Sequence, residues 1–75
     1  MNGTSNRYKR YCELKHLEPE STFKSLPEYA QWIRAREDEY RELNSMSKAD
    51  FYREEKIRIE GFTRFEMWLN EWSEK

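Results

Sequence analysis

The stretch of residues 25–43, SLPEYAQWIRAREDEYREL, limits the fold most, because it combines a helix-start signal with a helical repeat of large apolar side chains. Ser25 and Glu28 have the S-x-x-E spacing of a capping box, and Pro27 is tolerated in a first helical turn. At about 100° per residue, one stripe collects Leu26, Tyr29, Trp32, Ile33, Tyr40 and Leu43. The sequence therefore predicts a core-facing helix that begins at Ser25.

The segment after Gly61 repeats this pattern. Gly61 suits the left-handed residue that ends a preceding helix, and Thr63 with Glu66 repeats the capping-box spacing. Behind an entry residue, Phe62, one stripe of this second helix carries Phe65, Trp68, Leu69 and Trp72. We expect the two principal helices to pack antiparallel. Their predicted core is Trp32, Ile33, Phe65, Trp68 and Leu69.

The remaining segments give weaker signals. Residues 6–17 favour a short helix with a poorly defined apolar face, capped by Asn6 and ended before Pro19. Phe23 is expected to fold back onto the core. For residues 47–60, capped by Ser47, we prefer a helix, although KIRIE alternates as a strand does and STFKSL is its one candidate partner strand. The sequence therefore predicts an all-α fold, a small bundle of three to four helices over residues 6–75, after a disordered tail at residues 1–5.

The size and the net charge of the chain limit the kinds of function that it can have. A chain of 75 residues makes one small domain that buries somewhat over about 60% of its unfolded surface. The net charge of −1 gives no global attraction to nucleic acid or to an anionic membrane. No apolar run approaches the length of a membrane span, and no signal-peptide core is present, so we expect a cytoplasmic protein.

Candidate reactive groups are few. Cys12 and His16 lie one helical turn apart, but a structural zinc site takes about four ligands and the chain has no other cysteine or histidine. We therefore expect no metal and no cofactor. The many carboxylates are typical of a solvated helical surface, because paired catalytic carboxylates need a cleft that shifts their pKa values. The sequence accordingly favours a protein that is not an enzyme and has no small-molecule substrate.

Arg36 is the exception in the first apolar stripe. Its stem could cover Trp32 while its head reaches water, or it could be a charged anchor on an aromatic surface. Three Trp, five Tyr and four Phe exceed what such a core can enclose, and Trp, Tyr and Arg dominate protein interfaces. We therefore predict a protein-binding module of the adaptor or inhibitor type that docks on another protein, or on itself as a homodimer. Its predicted binding residues are Arg36, Trp32, Tyr40, Met67 and Glu71.

The alternative function is nucleic-acid binding by the basic N-terminal segment. RYKRY interleaves bases with tyrosines, which could grip phosphates and stack on nucleobases through residues Arg7, Lys9, Arg10 and Lys15. Four bases on a net negative body are a small footprint for such a protein, so this alternative is less favoured. The compact size, the start Met and the ring-rich composition resemble those of small accessory proteins of phages and mobile elements.

Overall fold

A computed structural model of the chain describes residues 6–18 and 22–73, with the side chains of residues 6–18 and 27–73. In these ranges the elements are α1 (Asn6–Lys15), α2 (Thr22–Leu43), α3 (Lys48–Glu54) and α4 (Arg64–Glu71). The predicted all-α fold is confirmed. None of the described helices is both long enough and apolar enough to cross a membrane. The predicted tail at residues 1–5 and the side chain of Phe23 lie outside what the structure describes.

The start of α2 differs from the prediction. The helix begins at Thr22, one turn before Ser25, so the prediction of a start at Ser25 is wrong. Residues 22–26 of STFKSL are helical, so this segment does not provide the partner strand of the less favoured alternative. Pro27 lies inside the helix, where its nitrogen donates no hydrogen bond. The S-x-x-E spacing spans one helical turn and also fits a helix interior, which is why this local signal misplaced the boundary. The side chains of Ser25 and Leu26 lie outside those described.

Helices α2 and α4 pack antiparallel, as predicted. The ring of Tyr40 lies 5.4 Å from that of Phe65 at the start of α4. The ring of Trp32, two turns earlier on α2, lies 5.8 Å from that of Trp72, just after α4. Position along α2 therefore rises as position along α4 falls.

The main core lies between α2, α3 and α4. Its buried members are Tyr40, Phe51, Phe65 and Leu69, and the half-buried residues packed against them are Trp32, Ile33, Met46, Trp68 and Trp72. Phe65 and Leu69 are buried as predicted, whereas Trp32, Ile33 and Trp68 reach only the edge of the core. Tyr40 and Phe51 occupy the centre instead, because α3 packs over the end of α2.

Helix α1 is confirmed as a short helix, but Asn6 is its first helical residue rather than the cap before it, and its apolar face is better defined than the sequence predicted. Tyr8, Tyr11 and Cys12 are buried and form a second cluster against Tyr29 and Trp32 of α2. The Tyr11 ring lies 5.3 Å from the Trp32 ring. Trp32 thus joins the two clusters, which together make the interior of the bundle.

The segment between α2 and α4 is less helical than predicted. The Ser47 cap is confirmed, since its Oγ accepts from the Asp50 N–H at 3.1 Å. However, α3 ends at Glu54, so the predicted helix to residue 60 is wrong. Ile59 and Phe62 exchange backbone hydrogen bonds of 2.7 and 3.1 Å across a two-residue turn. Glu60 and Gly61 both have positive φ, 55° and 89°, as in a type I′ turn. Gly61 therefore lies in a two-residue turn and does not end a helix as predicted.

The start of α4 confirms the second capping box. Thr63 Oγ1 accepts from the Glu66 N–H, and Glu66 Oε1 accepts from the Thr63 N–H, both at 3.2 Å. The backbone N–H groups of Thr63 and Glu66 are thus both hydrogen-bonded. This matters because both residues are buried away from water. The other carboxylate oxygen of Glu66, Oε2, accepts a hydrogen bond from Arg7 of α1.

The environment of Tyr40 leads us to predict that the free energy of unfolding falls at alkaline pH. Burial, together with the hydrogen bond that its hydroxyl donates to Glu54, raises the pKa of Tyr40 to about 12 from its ordinary 10.0. The unfolded chain releases this proton first, so the stabilisation is complete below pH 10 and declines between pH 10 and 12. Tyr40→Phe should cost about 1 kcal/mol at pH 9 and less at pH 11.5, measured by urea unfolding. An equal cost at both pH values would contradict this assignment.

Candidate protein-binding surface

Arg36 lies between two tryptophans from different elements. Its guanidinium carbon is 4.4 Å from the centroid of the Trp72 ring and 5.6 Å from that of Trp32. The two rings meet edge to face, with an angle of 86° between their planes. Arg36 therefore spans the α2–α4 contact by stacking on both indoles. The sequence offered Trp32 as its neighbour, but Trp72 is the nearer ring.

Glu39 fixes the orientation of Trp72. Both of its carboxylate oxygens accept from the Trp72 Nε1–H, at 3.2 and 3.3 Å. Its Oε1 also lies 3.3 Å from Arg36 Nε, an ion pair in which Nε is buried and makes no hydrogen bond to a described residue. The carboxylate thus holds the indole by a directional bond and the guanidinium by charge alone.

Arg10 of α1 holds the backbone at the same place. Its Nη2 donates to the Trp72 carbonyl at 2.6 Å, and its Nε donates to the Leu69 carbonyl at 3.1 Å. The Leu69 carbonyl lies in the last turn of α4 and also accepts from the Trp72 N–H at 3.1 Å, and the Trp72 carbonyl follows just after the helix. A cation is also favourable at the negative end of the helix dipole. Arg10 therefore joins α1 to the C-terminal end of α4, next to Trp72.

Beside these contacts runs a surface groove of about 460 Å³, here called the α2–α4 groove. Its lining residues are Glu39, Leu43, Trp68, Glu71, Trp72 and Ser73. Leu43 is 66% exposed, the largest exposure among the described large apolar side chains. Trp68 and Trp72 add half-buried indoles. The groove thus presents apolar surface between two carboxylates.

The predicted protein-binding residues divide into two sets. Trp32, Arg36 and Glu71 are brought together through Trp72 along the α2–α4 edge. Met67 is exposed one helical turn before Glu71 on the same side of α4. Tyr40 is buried in the core instead, because its position in the stripe faces Phe51 and Phe65, and it offers no exposed anchor.

Sequence reasoning did not assign a binding role to the residues that shape the groove: Glu39, Leu43, Trp68 and Trp72. Leu43 and Trp72 were placed on the apolar stripes of their helices, which is the signal for a core position. Each of them lies at the end of its helix, beyond the buried layer. The sequence signal for the groove was therefore an apolar stripe that extends beyond the buried core at the end of each helix.

The predicted nucleic-acid residues are partly committed to the fold. Arg7 pairs with Glu66 at 3.0 Å, with Glu37 at 3.4 Å and with Glu55, and its guanidinium lies 5.0 Å from the Phe65 ring centroid. We call these four charged residues the Arg7 cluster. Arg10 binds the end of α4, as described above. The other two predicted residues, Lys9 and Lys15, are exposed.

Charge in the Arg7 cluster is unbalanced, since one guanidinium faces three carboxylates from α2, the end of α3 and α4. Burial raises the pKa of Glu37 above its ordinary value, and the opposite effect of Arg7 does not cancel that rise. The cluster therefore depends on its single cation, which connects α1 to every other helix.

The remaining candidates form no assembled site. Cys12 is buried in the α1 cluster, and His16 is exposed with a left-handed φ of 59° at the end of α1. Among residues 6–18 and 22–73, no group of three or more His, Cys, Asp or Glu side chains is arranged to hold a metal ion.

Comparison of the chain with known protein families, with curated proteins and with solved structures finds no match.

Proposed function

We propose that this protein is a non-enzymatic binding module of the adaptor or inhibitor type, and that its α2–α4 groove takes a segment of another protein. The observation that carries the proposal is the exposure of Leu43 beside two indoles, Trp68 and Trp72, in one groove. Exposed apolar side chains that are contiguous mark interaction surfaces, whereas single ones do not. Tryptophan is also enriched among residues that dominate binding energy.

The rigidity of the groove supports the same proposal. Trp72 is held at its indole nitrogen by Glu39, on its ring by Arg36 and Trp32, and at its backbone by Arg10. A side chain fixed by several independent contacts loses little freedom when a partner binds, so more of the contact energy appears as affinity. The groove is thus formed before the partner arrives.

The lining of the groove favours binding over chemistry. Among residues 6–18 and 22–73, its polar lining residues are two glutamates and one serine, with no histidine, cysteine or lysine beside them. A serine nucleophile requires a base within hydrogen-bond reach and donors for a developing oxyanion. The nucleic-acid alternative is weakened by the internal roles of Arg7 and Arg10.

The test uses two matched substitutions of exposed aliphatic residues. Leu43→Asn removes the exposed apolar side chain of the groove, while Ile57→Asn changes a residue that is 55% exposed and lies outside it. Partners are captured from host cells with tagged protein and identified, and their affinities are then measured with purified components. We expect Leu43→Asn to weaken binding at least about tenfold, as hot-spot truncations do, and Ile57→Asn to leave it unchanged.

Two outcomes would contradict the proposal. Equal affinity of both variants for every captured partner would exclude the groove as the docking surface. A concentration-dependent dimer mass that Leu43→Asn converts to a monomer would assign the groove to a second copy of this chain instead. Measuring the solution mass of both variants over a wide concentration range separates these results.

A further inference from the structure

We infer that the segment bound by the α2–α4 groove presents an apolar side chain next to a lysine or arginine. This inference rests on the proposed function and adds the chemistry of the partner. It follows from the carboxylates that line the groove, from the contacts that Arg36 and Arg10 already make within the protein, and from the apolar surface of the groove.

Among the described residues, the charged side chains that line the groove are Glu39 and Glu71, both acidic. Glu71 is exposed and makes no ion pair with another described residue. A complementary partner therefore brings positive charge to this rim.

Two described cations beside the groove, Arg36 and Arg10, are engaged elsewhere. Arg36 is stacked on Trp32 and Trp72 and paired with Glu39, with its Nε buried. Arg10 directs its donors to the carbonyls of Leu69 and Trp72. Both guanidiniums thus fix the wall of the groove and do not neutralise Glu71.

The apolar part of the groove defines the second half of the partner. Leu43 and the indoles of Trp68 and Trp72 offer contact to an aliphatic or aromatic side chain. A volume of about 460 Å³ is in the range of pockets that take drug-sized ligands, so a few side chains of a segment fill it. An indole face also attracts a lysine or arginine, as Trp72 already does with Arg36.

The experiment selects binders from a library of random displayed peptides, with the whole protein as the target. Selections on the wild type and on Glu71→Lys are compared, and Glu60→Lys serves as the matched control. Glu60 is exposed in the turn before α4 and does not line the groove. Glu71→Lys should keep the fold, because a cation is favourable at the end of a helix where Glu71 stands. Circular dichroism and urea unfolding of the three proteins check this.

We expect the wild type and Glu60→Lys to enrich peptides that carry lysine or arginine beside an apolar residue. The affinity of such a peptide should fall about tenfold for Glu71→Lys, since an attraction is replaced by a repulsion. Exchanging the basic residue of the peptide for glutamate should restore binding to Glu71→Lys. The same peptides should bind Leu43→Asn at least about tenfold more weakly.

The failure of this inference can be told apart from the failure of the proposed function. Peptides that lose affinity for Leu43→Asn but lack basic residues and ignore Glu71→Lys would overturn the inference and leave the groove as a binding site. A captured protein that needs Leu43, with no enriched peptide, would also overturn it, because the partner would then be a folded surface. Binding that is insensitive to Leu43 in both experiments would overturn both.

Discussion

Replacing Arg7 by methionine is expected to lower the free energy of unfolding by about 3–5 kcal/mol. The substitution keeps an apolar stem of similar length but removes the cation that pairs with all three of Glu37, Glu55 and Glu66. The side chain of Arg7 is only 20% exposed and that of Glu66 only 6%, so water cannot replace the lost pairing cheaply. The loss is large because Glu37 and Glu55 lose their ion pair and the buried Glu66 keeps only the more distant Arg58 as a cation, and burying carboxylates with too little compensating charge is costly.

Arg58→Met is the matched control, measured in the same urea titrations. Arg58 lies 3.7 Å from the same carboxylate, Glu66, but its side chain is 57% exposed. Exposed pairs contribute little, so this variant should lose less than about 1 kcal/mol. Equal losses for the two variants would mean that the Arg7 cluster is no more than a surface ion pair.

Phe65→Ala is expected to cost about 3–5 kcal/mol, a large part of the stability of a small domain. Phe65 is 0% exposed, and its ring meets Tyr40 at 5.4 Å, Phe51 at 5.5 Å and Trp68 at 5.9 Å. Truncation removes the apolar contact area and leaves a cavity between α2, α3 and α4. The three surrounding rings cannot collapse into such a space without moving each other.

The matched control for this prediction is Met67→Ala, two residues later on the same helix. Met67 is exposed, so its truncation should change the free energy of unfolding by less than about 0.5 kcal/mol. Thermal and urea unfolding of both variants give the comparison. A Phe65→Ala protein that unfolds cooperatively near the wild-type midpoint would refute the assignment of Phe65 to the core.

Features set by neighbouring residues could be predicted from the sequence. The capping box of Thr63 and Glu66 and the Ser47 cap depend on side chains that reach backbone groups three residues away, and both were identified. Ser25 and Glu28 have the same spacing, yet α2 starts at Thr22. A local pattern therefore indicates that a helix is near, but not whether the pattern lies at its end or inside it.

Long-range pairing was the part that the sequence could not predict. Arg7 and Arg10 were interpreted as a nucleic-acid footprint because their partners, Glu66, Leu69 and Trp72, are about sixty residues away in the chain. A charge pattern does not distinguish a cation that faces solvent from one that ties helices together. The groove was not predicted for a related reason. Leu43 and Trp72 were placed on the core-facing stripes of their helices, and only the packing of the bundle determines where the core ends.

The contacts between α1 and α4 also bear on how the chain acquires its fold during synthesis. Arg7 precedes its partner Glu66 by 59 residues, and the carbonyl that Arg10 binds at Trp72 emerges later still. At about 5–20 residues per second, a ribosome makes the first helix wait roughly 3–12 s for the last one. In that interval the tyrosines of α1 and the rings of α2 have only each other for cover. The contacts of α1 with α4 can therefore form only after the pairing of α1 with α2 has become possible.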